Sequence, residues 1–519
     1  MNKHLLSVAF ICALALPSFI SSCTSSAHSE NNRLVILHTN DTHSQIEPGR
    51  DGLGGVMRRK AIIDSVRKAE KNVLLVDAGD AVQGTLYFYL YGGKVEQEIL
   101  NILGTDIRIL GNHEFDNGID SLAAVLANSD ATKIATNYNL DDTPLAGQFQ
   151  PFEIKEIGGK KIGFIGINLN PDGIVAQGNY NGLEFLPIIA TANVAAEKLK
   201  KEENVDAVIA LTHIGYNPAG LVGDSILAAN SRNIDVIIGG HSHDTIDPNT
   251  AEGNRRSHMT NLDGKPVLVV QTGKAGRNIG KIEINLDSLG LGAVPGYEII
   301  PVTSRYDGYT DPALAAAIAR YSAGVDSLMT DWIGTTDHLL KTSEPELLNF
   351  FADYVSGRGK ELSSDVDLSI VNKGGLRADI PAGRFSKGHV INMVPFRNYV
   401  TVVELKGKDL ADVFDVMATT KGNGVSGNVK VTFTDKDGEP EVKSVLIDGK
   451  PLNPEKTYRV ATIDYLANGG DYMTGFTRGQ KVAQSPNAVF DDLLYYFTDG
   501  KGKNKVLSSS KDNRWTLEN

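Results

Sequence analysis

Five short clusters of aspartate, asparagine and histidine punctuate the first half of this chain, and each comes just after an apolar run. They are Asp41-Thr42-His43 after residues 34–37, Gly79-Asp80 after 73–76, Gly111-Asn112-His113-Glu114 after 107–110, His213 after 208–211, and His241-Ser242-His243 after 236–238. The runs are short and lack regular polar alternation, which is the pattern of strands buried on both faces. In sheets of that kind ligands bind beyond the carboxyl ends of the strands, and all five clusters occupy that position. A lone Asp-x-His or Gly-Asp says little, because aspartate often bonds its own backbone in turns. Five of them at strand ends predict a metal site.

The ligand types narrow the chemistry. Carboxylates, an amide oxygen and imidazoles without thiolate suit divalent ions such as zinc, manganese, cobalt, iron or magnesium. A carboxylate shared between two ions, for which Asp80 is the candidate, would hold them about 3.5–4 Å apart, where together they activate a water and neutralise a phosphoryl group. That is the pattern of a metallophosphoesterase.

Five segments carry a more specific likeness. His38-Thr39-Asn40-Asp41-Thr42-His43, Asp77-Ala78-Gly79-Asp80-Ala81-Val82-Gln83-Gly84-Thr85, Gly111-Asn112-His113-Glu114-Phe115-Asp116-Asn117-Gly118, Leu211-Thr212-His213 and Gly239-Gly240-His241-Ser242-His243-Asp244 resemble the signature blocks of the 5′-nucleotidase family. That family includes periplasmic UDP-sugar hydrolases and 2′,3′-cyclic-nucleotide phosphodiesterases. In the second half, Asn372-Lys373-Gly374-Gly375-Leu376-Arg377, Pro395-Phe396 and Tyr465-Leu466-Ala467-Asn468-Gly469-Gly470-Asp471 resemble the nucleotide-recognition blocks of its C-terminal domain.

The resemblance implies that Asp41, His43, Asp80 and His243 hold one ion, and Asp80, Asn112, His213 and His241 the other. His243 is a departure, since some members carry glutamine or asparagine there. His113 reads as a catalyst rather than a ligand: Asp116, three residues on, is placed to hold its other ring nitrogen and favour the imidazolium. The bland alternative is a histidine capping the following helix. Arg377 would contact a phosphate or an acidic substrate group, with a surface ion pair to Asp379 as the alternative. Phe396 and Tyr465 match the two aromatics that sandwich a base, although core packing competes for Phe396. Asp471 matches the acceptor for ribose hydroxyls, or else caps a turn, and Asn372 opens the recognition block that holds Arg377. His38, before the ligands, reads as structural, and Lys341 carries no assignment.

A chain of 519 residues exceeds what one core usually supports, so two domains are expected. Alternating strands and helices up to about residue 287 predict a layered α/β domain. Asp311-Pro312 is a helix N-cap and first-turn pair, and Leu314, Ile318, Tyr321, Val325, Leu328 and Trp332 then recur at helical spacing. Together with the resemblance, this implies an N-terminal four-layer metallophosphoesterase β-sandwich flanked by helices (residues 33–310), a linker helix (311–334, ending near Gly334) and a C-terminal α/β nucleotidase domain (335–519). Candidate strands at 367–371 and 458–463 lie beside its glycine-rich turns.

Residues 1–22 read as a targeting segment. Lys3 and His4 precede an apolar stretch at 5–16, and Ile20-Ser21-Ser22-Cys23 resembles a bacterial lipoprotein cleavage site with Cys23 as the lipidated residue. An ordinary secretory signal with an incidental Cys23 is the alternative. Residues 23–32 form a polar tether. The only other cysteine, Cys12, lies in the removed segment, so no disulfide is expected within a mature chain. No later apolar run approaches the ~20 residues that span a bilayer. The expected location is the bacterial cell envelope, periplasmic or on the outer-membrane surface, with membrane contact through lipid only.

The formal charge of −12 argues against nucleic-acid polymers as partners, while metal ions and arginine still attract a small anion. The expected function is metal-dependent hydrolysis of 5′-nucleotides to nucleoside and phosphate in an interdomain cleft, with a hinge at the linker implied by the resemblance. The alternatives are a 2′,3′-cyclic-nucleotide phosphodiesterase with 3′-nucleotidase activity, a UDP-sugar pyrophosphohydrolase and a non-catalytic surface-binding lipoprotein.

Overall fold

The computed structural model describes residues 32–218, 220–289, 293–436 and 439–518; the expected signal segment, Cys23 and residues 24–31 of the tether lie outside them. In the strand Arg33–Thr39, alternate side chains face opposite ways. Leu34 and Ile36 join Val76, Ile107, Phe164, Ile209, Val236 and Leu268 in a core shared by two sheets. Val35 and Leu37 instead pack on Ile62, Ile63, Ile99 and Leu103 of the helices Val56–Ala69 and Lys94–Leu103. On the far sheet, Ile165, Val208, Ala210 and Ile237 meet Ala192, Ala196 and Leu199 of the helix Ile188–Lys201. The result is helix, sheet, sheet, helix: four layers, because the central strands are apolar on both faces.

The first sheet is six-stranded, in the order Gly296–Pro301, Asn278–Asn285, Arg33–Thr39, Val73–Asp77, Ile107–Arg108, Thr132–Lys133. The second runs Thr245–Ile246, Pro266–Thr272, Val236–Ile238, Ala207–His213, Lys160–Asn168, Phe152–Ile157, with His258–Thr260 also beside Pro266–Thr272. Both are parallel at the centre and antiparallel at an edge. Parallel register aligns the carboxyl ends: Thr39 pairs with Asp77 in one sheet and Asn168 with His213 in the other. The five clusters therefore emerge along one rim of the sandwich.

The helix Pro312–Thr330 opens with Asp311 accepting the Leu314 N–H at 2.8 Å. It begins on the N-terminal core, through Leu314 and Ile318, and ends against the C-terminal core, through Leu328 and Met329. It stops short of the Gly334 expected as its end, because Trp332–Thr336 is a strand pairing with Gly383–Ser386. Gly334 serves that sheet: a Cβ there would lie 2.2 Å from the Phe385 ring. The C-terminal domain has a five-stranded sheet, Gly424–Val425, Leu368–Val371, Thr457–Ile463, Tyr399–Lys406 and Gln480–Ala488, packed on the helices Pro345–Leu362, Gly407–Thr419 and Val489–Thr498. The domains touch where Leu86 is buried in the C-terminal core and Tyr89 meets Phe490 edge-on at 5.2 Å. Among the described residues no helix is long and apolar enough to cross a membrane.

Candidate active site

A cavity of about 300 Å³ lies between the domains. Asp80, Asn112, His113, Asp116, His241 and His243 line one wall, and Asn372, Arg377, Phe396, Tyr465 and Asp471 the other. Asp41, His43 and His213 are buried beside the first wall. The turns that bring these groups together are strained: Asp41, His43, Asp80, His241 and His243 all have φ between 47° and 76°. Each such residue costs about 1–3 kcal/mol and persists only where its surroundings over-determine it.

The ligand atoms of Asp41, His43 and His243 form one close group and those of Asp80, His213 and His241 a second, each within 4.8 Å. Asn112 Oδ1 lies 2.9 Å from His241 Nδ1. Asp41 and Asp80 are almost wholly buried, and their ion-pair partners among the described residues are histidines. His43 Nε2 and His243 Nε2 face each other at 2.9 Å. The His213 Nδ1–H donates to the Ala78 carbonyl at 2.7 Å, and its Nε2 lies 3.1 Å from Asp80 Oδ2. Buried carboxylates need positive charge beside them, and a divalent ion would supply it. The donor set fits such ions.

His113, Asp80 and His43 also lie within the same distance of one another. His113 Nδ1 is held by Asp116 Oδ2 at 2.9 Å, and its ring packs against Phe396 at 5.7 Å. Burial pulls the His113 imidazole down, but Asp116 and Asp80 outweigh it and hold it above the ordinary histidine value. His38 is the contrast: fully buried beside the Tyr297 hydroxyl at 3.1 Å, it is pushed by burial to about 3 and stays neutral.

On the opposite wall, Arg377 places Nη2 3.5 Å from the His43 ring nitrogens and lies over the Phe396 ring at 5.7 Å. Asp379, the alternative partner, instead accepts from the Thr342 N–H and hydroxyl at 2.8 and 3.0 Å. The Tyr465 hydroxyl donates to Asp471 Oδ1 at 2.8 Å, and Asn372 Nδ2 donates to Asp471 Oδ2 at 2.8 Å. Lys341 pairs with Glu344 at 2.8 Å, outside the cleft.

Two supporting residues escaped the sequence reading. Asn40 accepts from the Thr272 N–H and hydroxyl and donates to Asp41 Oδ2 at 2.6 Å, which orients that carboxylate. Gln271 donates to the Gly240 carbonyl at 3.0 Å and accepts the Asp244 N–H at 2.6 Å, which holds the His241–His243 turn. Asn40 at least adjoins a cluster. Gln271 sits in an apolar strand with no local signal.

This fold and donor set define a metallophosphoesterase joined to a second, recognition domain, and known proteins agree. Residues 34–245 match the calcineurin-like phosphoesterase family and residues 330–478 the 5′-nucleotidase C-terminal domain. A snake venom 5′-nucleotidase from Naja atra is 30% identical over 84% of this chain and 90% of its own. A solved 5′-nucleotidase precursor from Thermus thermophilus superposes with a TM-score of 0.82 at 28% identity, over 94% of this chain and 99% of that one. A trifunctional nucleotide phosphoesterase of Bacillus subtilis is 27% identical over 93% of this chain, which spans only 36% of that longer protein. The chain belongs to the 5′-nucleotidase family.

Proposed function

We propose that this protein hydrolyses the phosphate ester of 5′-nucleotides, releasing nucleoside and phosphate, with two divalent metal ions. The observation that carries the reading is the cleft itself, where two carboxylate and histidine groups face an aromatic and polar recognition wall. Asp41, His43, Asp80 and His243 would hold one ion, and Asp80, Asn112, His213 and His241 the other. When bound, zinc, manganese, cobalt, iron or magnesium supplies an activated water and positive charge at phosphorus. The chain's own groups do the rest. The Asn112 amide donates to a phosphoryl oxygen. Asp116 accepts the His113 Nδ1–H, leaving the protonated Nε2 to donate to developing charge on the phosphate and leaving oxygen. Arg377 offers a planar fork to the phosphate. Phe396 and Tyr465 stack on the base, while Asp471 and Asn372 meet ribose hydroxyls.

Phosphate release from AMP, ATP, UDP-glucose, 3′-AMP and 2′,3′-cyclic AMP, with and without chelator, tests the reading. Preferred, chelator-sensitive turnover of AMP supports it. Release only from cyclic or sugar nucleotides moves the protein to a sister activity, and no release from any makes it a binding protein. The motif at residues 20–23 further supports lipid attachment at Cys23 and a place in the bacterial cell envelope. A Cys23→Ser precursor should then fail to partition with membranes, and a mature amino terminus elsewhere would refute the assignment.

A further inference from the structure

Glu114 follows Asn112 and His113 in the same block, yet it neither lines the cleft nor joins a ligand group. It is 4% exposed, and its carboxylate accepts from four donors. Oε2 accepts the backbone N–H of Asp80 at 3.0 Å and of Gly111 at 2.7 Å. Oε1 accepts the Ala81 N–H at 3.0 Å and Arg108 Nη2 at 3.4 Å. Asp80 and Ala81 follow the strand Val73–Asp77, whereas Gly111 opens the turn after Ile107–Arg108. Ladder pairing between those strands ends at Asp77 and Arg108, and beyond it the Glu114 carboxylate reaches both turns. They lie at contact distance: a Cβ on Gly111 would fall 2.2 Å from Asp80 Oδ1, and the His113 N–H donates to that same oxygen at 2.9 Å. Asp80 is held at φ 53°, the kind of strained conformation that needs an external hold. Arg108, itself 2% exposed, neutralises the carboxylate and is anchored by Gln97 Oε1 at 2.9 Å.

We propose that Glu114 is a positioning residue whose buried carboxylate clamps the Asp80 turn to the Asn112–His113 turn, setting the spacing of metal-ligating and catalytic groups without touching ion or substrate. The inference rests on the metal-dependent hydrolase reading above. Glu114→Gln keeps the volume but turns one acceptor oxygen into an NH₂ that meets N–H donors.

The test strips parent and E114Q protein with chelator and titrates each with Mn²⁺ alone by calorimetry, then measures kcat and KM for AMP and a small aryl phosphate. The clamp predicts metal-free E114Q with the parental circular dichroism but a lower melting temperature, since Arg108 loses its buried partner, Mn²⁺ bound roughly 10–100-fold more weakly, and kcat falling in parallel for both esters. KM for AMP, set by the other wall, should change far less, and excess Mn²⁺ should restore part of kcat. Parental Mn²⁺ affinity in E114Q overturns the clamp. Should E114Q fail to fold, Glu114→Gln with Arg108→Met removes both charges and still lacks the clamp. Weak Mn²⁺ binding by that folded pair supports the inference; parental binding overturns it, because charge balance alone would then suffice. A parent that binds no Mn²⁺ and cleaves neither ester overturns the function proposed above and this inference with it.

Discussion

Asp80 and Asp471 stand on opposite walls of the cleft with nearly the same positive φ, 53° and 51°. They are held in different ways. Around Asp80, the Glu114 carboxylate takes its N–H, the His113 backbone donates to its side chain, and the buried His213 faces the other oxygen. Asp471 is held by side chains of its own wall, Tyr465 and Asn372, all of which line the cavity. Phosphoryl transfer needs its atoms placed closely, so the first wall is braced by backbone and buried charge. On the proposed reading, recognition needs donors and acceptors that can turn to a ligand, and the second wall would provide those. Both walls carry a strained aspartate; what differs is whether backbone and buried charge or cavity-lining side chains hold it.

The comparison breaks most sharply at Asp80. On the proposed reading, Asp80→Ala should abolish turnover of nucleotide and aryl phosphate alike and release metal from both positions, because the shared carboxylate would hold two mutually repelling cations. Elemental analysis that still finds two tightly held ions per chain would remove Asp80 from the centre of that wall.

Next in size is His113→Ala, expected to lower kcat by roughly 10²–10⁴-fold with metal content unchanged. Loss of an ion in this variant would make His113 a ligand. The pH profile sharpens the point. Asp116 and Asp80 hold His113 above its usual value, so the cationic form is lost as pH rises through that raised value. Asp116→Asn removes one of these supports, and the alkaline fall in kcat should move to lower pH. An unmoved alkaline limb means that another group controls it.

On the recognition wall, Phe396→Ala and Tyr465→Ala should each raise KM for nucleotides by roughly 5- to 150-fold, the equivalent of one lost base stack, with little change in kcat. Hydrolysis of an aryl phosphate, which has no base, should barely respond. Equal damage to both substrates in folded variants would make the aromatics structural and erase the division between the walls. Tyr465→Phe is the mildest change. It keeps the ring and removes the hydroxyl that holds Asp471, so KM should rise only about 2- to 10-fold, the worth of one hydrogen bond. An effect as large as that of Tyr465→Ala would mean that the hydroxyl, not the ring, carries recognition.

Most of the N-terminal fold could be read from apolar runs, because strands buried on both faces leave an unbroken hydrophobic signal and the polar clusters mark where they end. The edge strand Gly296–Pro301 left no such trace, since half its side chains face solvent and its definition comes from the partner strand Asn278–Asn285. The helix before the second domain was read too long for a related reason. Gly334 looks like a helix stop locally, whereas what it answers to is the Phe385 ring, brought near by strand pairing.

By itself, then, the sequence determined the layered two-domain α/β architecture and the clusters of metal-type donors, since both are written in local periodicity and in residue types a few positions apart. Tertiary structure alone decided that Arg377 turns to His43 rather than Asp379, that Gln271 braces the His241–His243 turn, and that Glu114 joins two turns instead of facing the cleft. Those choices rest on contacts between segments far apart in the chain or on opposite strand ends, where packing and the need to pair every buried polar group select the partner.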